Sequence, residues 1–358
     1  MSCYHPNKAF RLGVKDNGKL DLALRSYNVD HLELVNGKWQ NAYDSFVDPR
    51  SDRTVKDFIE VPCGKCLGCR MDYSRRWADR MMLEMEDHEE SYFITLTYND
   101  DHLPWNPMPD LHTGEIIDSV KTLRKEDLQK FIKRLRKQTG QDLMYFACGE
   151  YGEHTSRPHY HLIVFGLHLD DLQFFKKSNL GFNYYLSPFL DSVWSIGSGK
   201  QHANREPIGH VLVAPATWET CAYTARYVTK KADHDFTEYY NEHNIQPEFC
   251  IMSRRPAIAK NAFLKYIESG NVCYAKYSSI HLNTEKGGKT IQMPKYWDRL
   301  AEQIYPEIVA QKKLNRQMYA QENNLLKLEN TDLSYLDQLQ IEEHNLDARL
   351  RSLERNKI

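Results

Sequence analysis

Hydrophobic and polar positions along this chain fall into a few clear patterns. The stretch Tyr92 to Tyr98 (YFITLTY) alternates and is rich in β-branched and aromatic residues, which predicts a strand. Leu143 to Glu150 (LMYFACGE) and His159 to Phe165 (HYHLIVF) read as two further strands, and the eight residues between them predict a hairpin. Apolar residues at helical spacing mark a helix from Met71 to about Glu90, with Trp77, Met81 and Met85 on one face. A second runs from Leu123 to Thr139, burying Leu128, Phe131, Ile132 and Leu135, and a third from Trp218 to Lys231. Residues 1 to about 60 show no strong period and read as polar and turn-rich, and Pro104, Pro107 and Pro109 predict a loop. Residues 167 to 210 read as an irregular insertion, with Val211 to Ala214 a short strand. From about Tyr296 the chain turns helical and polar. There Leu336, Leu339, Leu346, Leu350 and Leu353 fit a heptad that Glu343 interrupts, which predicts a lone helix or a short coiled-coil partner element.

Composition changes this picture little. The 358 residues, 41% hydrophobic and 27% charged, are enough for one large or two modest globular domains. The first residues lack the apolar core of a signal peptide, and no stretch approaches the roughly 20 apolar residues of a membrane helix. A cytoplasmic protein without membrane contact is therefore expected. Net charge is −2, but its distribution is uneven: Lys121 to Lys137 (KTLRKEDLQKFIKRLRK) carries eight Lys or Arg against two acids. Arg70, Arg75, Arg76 and Arg80 form a second basic cluster, and Lys230 with Lys231 a third. Such local faces can grip phosphates on a near-neutral chain, although a charge run is commonly just a solvated helix face.

Two groups of residues carry candidate chemistry. His159 and His161 are two apart on a predicted strand and share a face. They are either solvated imidazoles or two ligands aimed at one ion. Glu150, at the end of the preceding strand, would be folded back beside them by the hairpin. Two imidazoles and a carboxylate leave open positions on a divalent ion that polarises a substrate oxygen. Tyr223 and Tyr227 are spaced i, i+4 and project from one helix face, flanked by Lys230 and Lys231. They are either aromatics packed on the sheet or covalent nucleophiles, which need a nearby cation or a polarised electrophile because phenol is a weak acid. The eight cysteines include the run Cys63, Cys66 and Cys69 in PCGKCLGC, while Cys148, Cys221, Cys250 and Cys273 stand alone. Three thiolates two apart suit tetrahedral zinc with a fourth ligand, Cys3 as the first choice and His5 as the second; an iron–sulfur cluster or free thiols are the alternatives. GSGK at Gly197 to Lys200 lacks the flanking residues of a phosphate-binding loop.

Taken in order, FITLTY, GEYGEHTSRPHYHLIVFG and YTARYVTKK resemble the three ordered motifs of the HUH endonucleases. These comprise rolling-circle replication initiators, conjugative relaxases and some transposases. PCGKCLGCR upstream and FCIMSRRPAIAKNAF (Phe249 to Phe263) also resemble the replication initiators of gokushovirus-type microviruses, small single-stranded DNA phages. The likeness covers roughly residues 60 to 300. It implies an α+β fold: a central antiparallel sheet of about five strands flanked by helices, with an N-terminal Cys-rich zinc-binding element and a helical C-terminal tail. The expected domains are residues 1–90, 91–295 and 296–358.

The resemblance also assigns roles. His159, His161 and Glu150 match the ligands of an active-site Mg²⁺ or Mn²⁺, with Glu153 and His154 as lesser substitutes for the acid. Tyr227 matches the nucleophile, Lys230 its lysine and Tyr223 the second tyrosine. Thr95 and Thr97 lie on the strand that contacts DNA, and Lys231, Arg254 and Arg255 are further expected DNA contacts. The implied activity is nicking of single-stranded origin DNA through a 5′-phosphotyrosine, with host polymerase and helicase as partners in a bacterial cytoplasm. Two other readings stand beside it: a two-tyrosine transposase and a non-catalytic zinc-dependent DNA-binding protein. Relaxases commonly place the tyrosine before the histidines, the reverse of the order here.

Overall fold

The computed structural model describes all residues except 1, 2, 44–47, 49, 52, 111, 153, 154, 179, 180, 198–204, 231–239, 270–278, 285, 286, 330 and 353–358, and the side chains of 227–230, 283, 284 and 352. The chain divides into two compact units, one of Met1–Asp72 with Arg316–Glu354, the other chiefly Tyr73–Asn315.

The first unit holds strands where the sequence pattern predicts only turns. β1 (Asn7–Val14), β2 (Leu20–Ser26) and β6 (Phe58–Val61) form one sheet in the order β2-β1-β6; β3 (His31–Val35), β4 (Lys38–Ala42) and β5 (Arg53–Val55) form another in the order β4-β3-β5. Phe10, Ala23, Val29, Leu32 and Val55 make its small core. The pattern is hard to read because β2 is inverted: Leu20, Leu22 and Leu24 are exposed, whereas Ala23 points inward. Strand β3 is buried at four of its five positions and so does not alternate at all. The C-terminal residues form helices at Lys295–Ile304, Pro306–Leu328 and Tyr335–Ser352 rather than one lone helix. Within this unit the Tyr335 hydroxyl donates to Glu60 Oε1 at 2.7 Å. Glu343, the residue that breaks the heptad, bonds His5 Nε2 at 2.5 Å and accepts from the Leu67 amide at 3.3 Å.

The second unit is built on an antiparallel sheet of seven strands among the described residues, two more than expected. They are β7 (Ser91–Tyr98), β10 (Met144–Tyr151), β11 (Pro158–Phe165), β12 (Gln173–Lys177), β13 (Asn183–Leu186), β16 (Gly209–Pro215) and β17 (Phe249–Met252). Their order is β12-β13-β16-β7-β11-β10-β17. The proline-rich segment is a separate two-stranded ribbon, β8 (Trp105–Pro109) with β9 (Ile116–Lys121), where a proline lacking an amide costs no central ladder bond. The region that reads in sequence as an irregular insertion supplies β12, β13, the short pair β14 (Ser195–Ile196) and β15 (Glu206–Pro207), and a one-and-a-half-turn helix. That helix, α3 (Pro188–Val193), starts at Ser187, whose hydroxyl accepts from the Leu190 amide at 3.1 Å.

Helices cover both faces of the sheet. α1 (Leu67–Met85) starts four residues before the expected Met71, and α2 (Lys125–Thr139) begins with Glu126 and Asp127 and stops at Gly140 in the left-handed region, φ 67°. The periodic residues of α2, Leu128, Phe131, Ile132 and Leu135, bury against Ile94, Leu96, Tyr160 and Leu162. Each such side chain contributes about 1.5–3 kcal/mol on leaving water. The other face carries Phe93, Phe146, Ile163 and Phe165, packed under Ala78 and Met81 of α1 and Cys221 and Ala225 of the helix Trp218–Lys230. No helix among the described residues is long and apolar enough to cross a membrane.

Candidate metal centre

The hairpin between β10 and β11 places the expected ligands. Its register sets Glu150 directly opposite His159 and Cys148 opposite His161. Residues paired across an antiparallel ladder share a face, so Glu150, His159 and His161 converge. The Glu150 Oε1 lies 2.6 Å from His159 Nε2 and 2.8 Å from His161 Nε2. All three ligand atoms fall within 4.8 Å of one another. Burial acts to raise the Glu150 carboxyl, but the bonds from the two imidazoles outweigh it and hold it at about 2. Burial lowers His161 from its ordinary range, opposed only in part by Glu150. At neutral pH the set is therefore one carboxylate and neutral imidazole, the donor chemistry of a divalent cation site.

The outer ring nitrogens are held as well. His159 Nδ1 donates to the Arg157 carbonyl at 3.1 Å, and His161 Nδ1 lies 3.0 Å from Thr95 Oγ1. Both contacts aim Nε2 inward, as metal-binding imidazoles require. Thr95 reaches His161 because β7 pairs with β11 in the register Thr95↔His161. Phe93, two residues earlier, stacks flat on the same imidazole at 5.3 Å and 10°. Sequence reasoning did not single out Phe93; its spacing from Thr95 was the available signal. Thr97 donates to the His210 carbonyl at 3.3 Å. Next to it, Gly209 crosses so close to β7 that a Cβ would meet the Thr97 carbonyl oxygen at 1.7 Å.

α4, the helix Trp218–Lys230, brings a tyrosine to this cluster. Its start is fixed by reciprocal bonds: Thr217 Oγ1 accepts from the Thr220 amide at 3.3 Å, and Thr220 Oγ1 from the Thr217 amide at 2.8 Å. One turn in, Tyr223 donates its hydroxyl to Glu150 Oε1 at 3.3 Å and lies 3.5 Å from His161 Nε2. Its ring meets His161 edge-on at 5.0 Å, and the Arg226 guanidinium lies 4.8 Å from the ring centre. Arg226 is a second residue the sequence reading did not single out, although its i+3 position relative to Tyr223 places it on the same helix face. Tyr227 and Lys230 lie on the same helix, with side chains outside the described set; Lys231, Glu153 and His154 are also outside it. Arg254 and Arg255 are exposed and follow β17, whose register (Gly149↔Phe249, Phe146↔Met252) carries them away from the Glu150 end of β10. They are not brought together with the ligands.

A second cluster lies in the other unit. Cys3, Cys63, Cys66 and Cys69 present four sulfurs within 4.8 Å of one another. The Cys63–Cys69 and Cys3–Cys66 sulfurs are each 4.0 Å apart, near the roughly 3.8 Å edge of a tetrahedron with 2.3 Å metal–sulfur bonds. Backbone amides point at the sulfurs: Cys63 N at Cys3 Sγ (3.2 Å), Cys66 N at Cys63 Sγ (3.3 Å) and Tyr4 N at Cys66 Sγ (3.4 Å). Such bonds stabilise thiolate. Burial raises Cys63, but the amides of Cys66 and Lys65 prevail and lower it, whereas burial pushes Cys69 up to about 11. Cys3, not His5, completes the group; His5 is committed to Glu343. Cys148 and Cys221 are buried alone, their thiols raised by burial, and Cys273 lies outside the described residues.

With this geometry in hand, similarity to known proteins falls in one class. Residues 91–232 match the family described as Replication-associated protein ORF2, a span that opens on β7 and closes just after α4. The chain is 33% identical over 288 residues to Replication-associated protein ORF2 of Spiroplasma virus 4, covering 79% of this chain and 80% of that protein. It is 31% identical over 207 residues to Replication-associated protein VP4 of Bdellovibrio phage phiMH2K, 58% of each chain. Replication-associated protein ORF4 of Chlamydia phage 1 is 31% identical over 202 residues, 54% of this chain and 44% of that one. No solved structure matches. The protein belongs to the phage replication-associated protein family.

Proposed function

We propose that this protein is the initiator of phage DNA replication and that it nicks single-stranded origin DNA by tyrosine attack, as an HUH endonuclease. The observation that carries the reading is the convergence of Glu150, His159, His161 and the Tyr223 hydroxyl within hydrogen-bonding distance of one another. The three ligands would hold Mg²⁺ or Mn²⁺, which supplies charge stabilisation at a nonbridging oxygen of the scissile phosphate. Thr95 and the Arg157 carbonyl orient the two imidazoles, and Phe93 fixes the plane of His161.

The nucleophiles are Tyr227 and Tyr223, one turn apart on α4, with Lys230 beside the first and Arg226 over the ring of the second. Attack forms a tyrosyl O–P bond and breaks the P–O3′ bond. The phenolic proton is lost and the departing 3′ oxygen takes one up, leaving a 5′-phosphotyrosine and a 3′-OH. The bond count is unchanged, so reversal rejoins the strand without ATP. Two tyrosines would let one molecule cut the regenerated origin while still holding the first end. The free 3′-OH primes a host polymerase; the sequence shows no phosphate-binding loop of a helicase, so strand separation falls to a host helicase in the bacterial cytoplasm. Thr97, Lys231, Arg254 and Arg255 are proposed DNA contacts, and the four cysteines hold a structural Zn²⁺.

The test is incubation with Mn²⁺ and labelled single-stranded oligonucleotides tiled across the origin-bearing genome, read on a denaturing gel for a covalent protein–DNA band. The band is expected, is abolished by His161→Ala, and is lost in the Tyr223→Phe/Tyr227→Phe double variant. No band from folded, metal-loaded protein on any oligonucleotide would favour a non-catalytic DNA-binding protein instead.

A further inference from the structure

The hairpin of β12 and β13 has no part in the site described above, yet its composition is unusual for a sheet edge. Residues 173–186 (QFFKKSNLGFNYYL) contain five aromatic side chains and two lysines and no acidic residue. Every residue of β12, Gln173 to Lys177, is exposed; Phe174 is 62% and Phe175 50% accessible. Edge lysines commonly serve only to keep a strand from pairing with another chain. Two exposed phenylalanines work against that purpose, so the edge has some other use.

The hairpin belongs to the same sheet as the metal ligands, and its register fixes which side chains share their face. Tyr184 packs in the cluster that holds Phe93 and Ile163, and those pair with each other along the ladder that carries His161 opposite Thr95. A bulge between Phe174 and Lys176 leaves Phe175 and Lys176 together opposite Tyr184. The Lys176 Nζ lies 5.5 Å from the Phe175 ring centre and 6.0 Å from that of Tyr184. An exposed ring and a lysine thus stand at the edge of the metal-bearing face. Helix α4 packs chiefly on β10, β11 and β17, so β16, β13 and β12 extend the sheet in the other direction. From β11 to β12 is four inter-strand steps, roughly 19 Å at ~4.8 Å each.

We propose that Phe175 and Lys176, with Lys177 and Phe174 beside them, form a docking platform for single-stranded DNA flanking the cleaved phosphate. The proposal rests on the nicking function above. Bases stack on the exposed rings and the lysine ammonium groups meet phosphates, a pairing of chemistries that suits an unpaired strand and not a duplex, whose base faces are hidden.

The experiment measures binding of full-length protein to fluorescent oligothymidines of 4 and 20 nucleotides, without metal, alongside adduct formation on the origin oligonucleotide. For Phe175→Ala a loss of roughly five- to 150-fold is expected on the 20-mer and none on the 4-mer, with Phe175→Tyr retaining the parent affinity. The Lys176→Ala/Lys177→Ala double variant should lower the salt-dependence slope by about 1.4. Unchanged 20-mer binding, equal losses on both lengths, or a parent that binds neither would overturn the proposal. So would a change from dimer to monomer in sedimentation with affinity intact, which would make this edge a contact between copies. A parent that shows the length-dependent loss but no adduct would refute nicking and leave the platform standing; an adduct with no length-dependent loss would do the reverse.

Discussion

His161 is the residue on which most of the site's contacts meet. Its Nε2 faces Glu150 and the Tyr223 hydroxyl, its Nδ1 faces Thr95, and Phe93 covers its plane. Replacing Thr95 by Val keeps the shape and removes the bond, so Mn²⁺ affinity by calorimetry should fall about 10–100-fold. Thr95→Ser should restore most of it. The pH response has a definite sign. His161 and Glu150 both have depressed folded values, so the folded state binds fewer protons than the unfolded one. The stability they contribute is complete above their ordinary values, near 6.5 and 4.5, and is lost as pH falls through the folded ones, about 2 for Glu150. Melting of the metal-free protein should therefore decline below about pH 6.5, and less steeply in His161→Gln. The histidine pair and Glu150 were legible in sequence because they lie within one hairpin. The Thr95 bond was not, since it depends on which strand lies beside β11, and local pattern carries no such information.

At the level of elements, legibility followed how each strand is buried. β7, β10 and β11 could be read because a polar turn or loop separates long apolar runs. β2, β3 and β12 could not: one points its leucines outward, one is buried on both sides, and one is exposed along its whole length. In each case the period-2 signal is inverted or missing. The pairing of β16 with β7 depends on a residue whose lack of a side chain lets the two backbones approach. Gly209→Ala should push β16 off the Thr97 carbonyl, lowering stability by at least ~1 kcal/mol in denaturant melts. Because Thr97 and Thr95 share that strand, the same variant should also weaken Mn²⁺ binding. A variant that melts and binds like the parent would show that β16 relaxes without cost.

For the whole molecule, the four cysteines make one unit depend on a metal in a way the other does not. Every ligand of that group belongs to Met1–Asp72, and the unit's apolar core is only a handful of residues. A strong chelator of zinc should therefore unfold this unit first, giving a separate low-temperature transition in calorimetry, while the unit of Tyr73–Asn315 melts near its original temperature. Cys3→Ser should reproduce that transition without chelator. A single transition unmoved by either treatment would argue against a structural metal there. PCGKCLGC announced the cluster in sequence, but Cys3 lies 60 positions away from Cys63 and could only be ranked against His5. Proximity through folding decided between them.

The order of synthesis gives this division a consequence in time. The unit that begins the chain also needs Arg316–Glu354, so it cannot be completed until translation has run 244 residues past Asp72. At 5–20 residues per second that is a wait of roughly 12–50 s. During it the whole body of Tyr73–Asn315 can emerge and fold, while three closely spaced cysteines remain in a half-built neighbourhood. A ribosome stalled before residue 316 would release a chain whose metal-ligand face is complete and whose first 72 residues are not. Full assembly of this protein thus reports that its own message was read almost to the end.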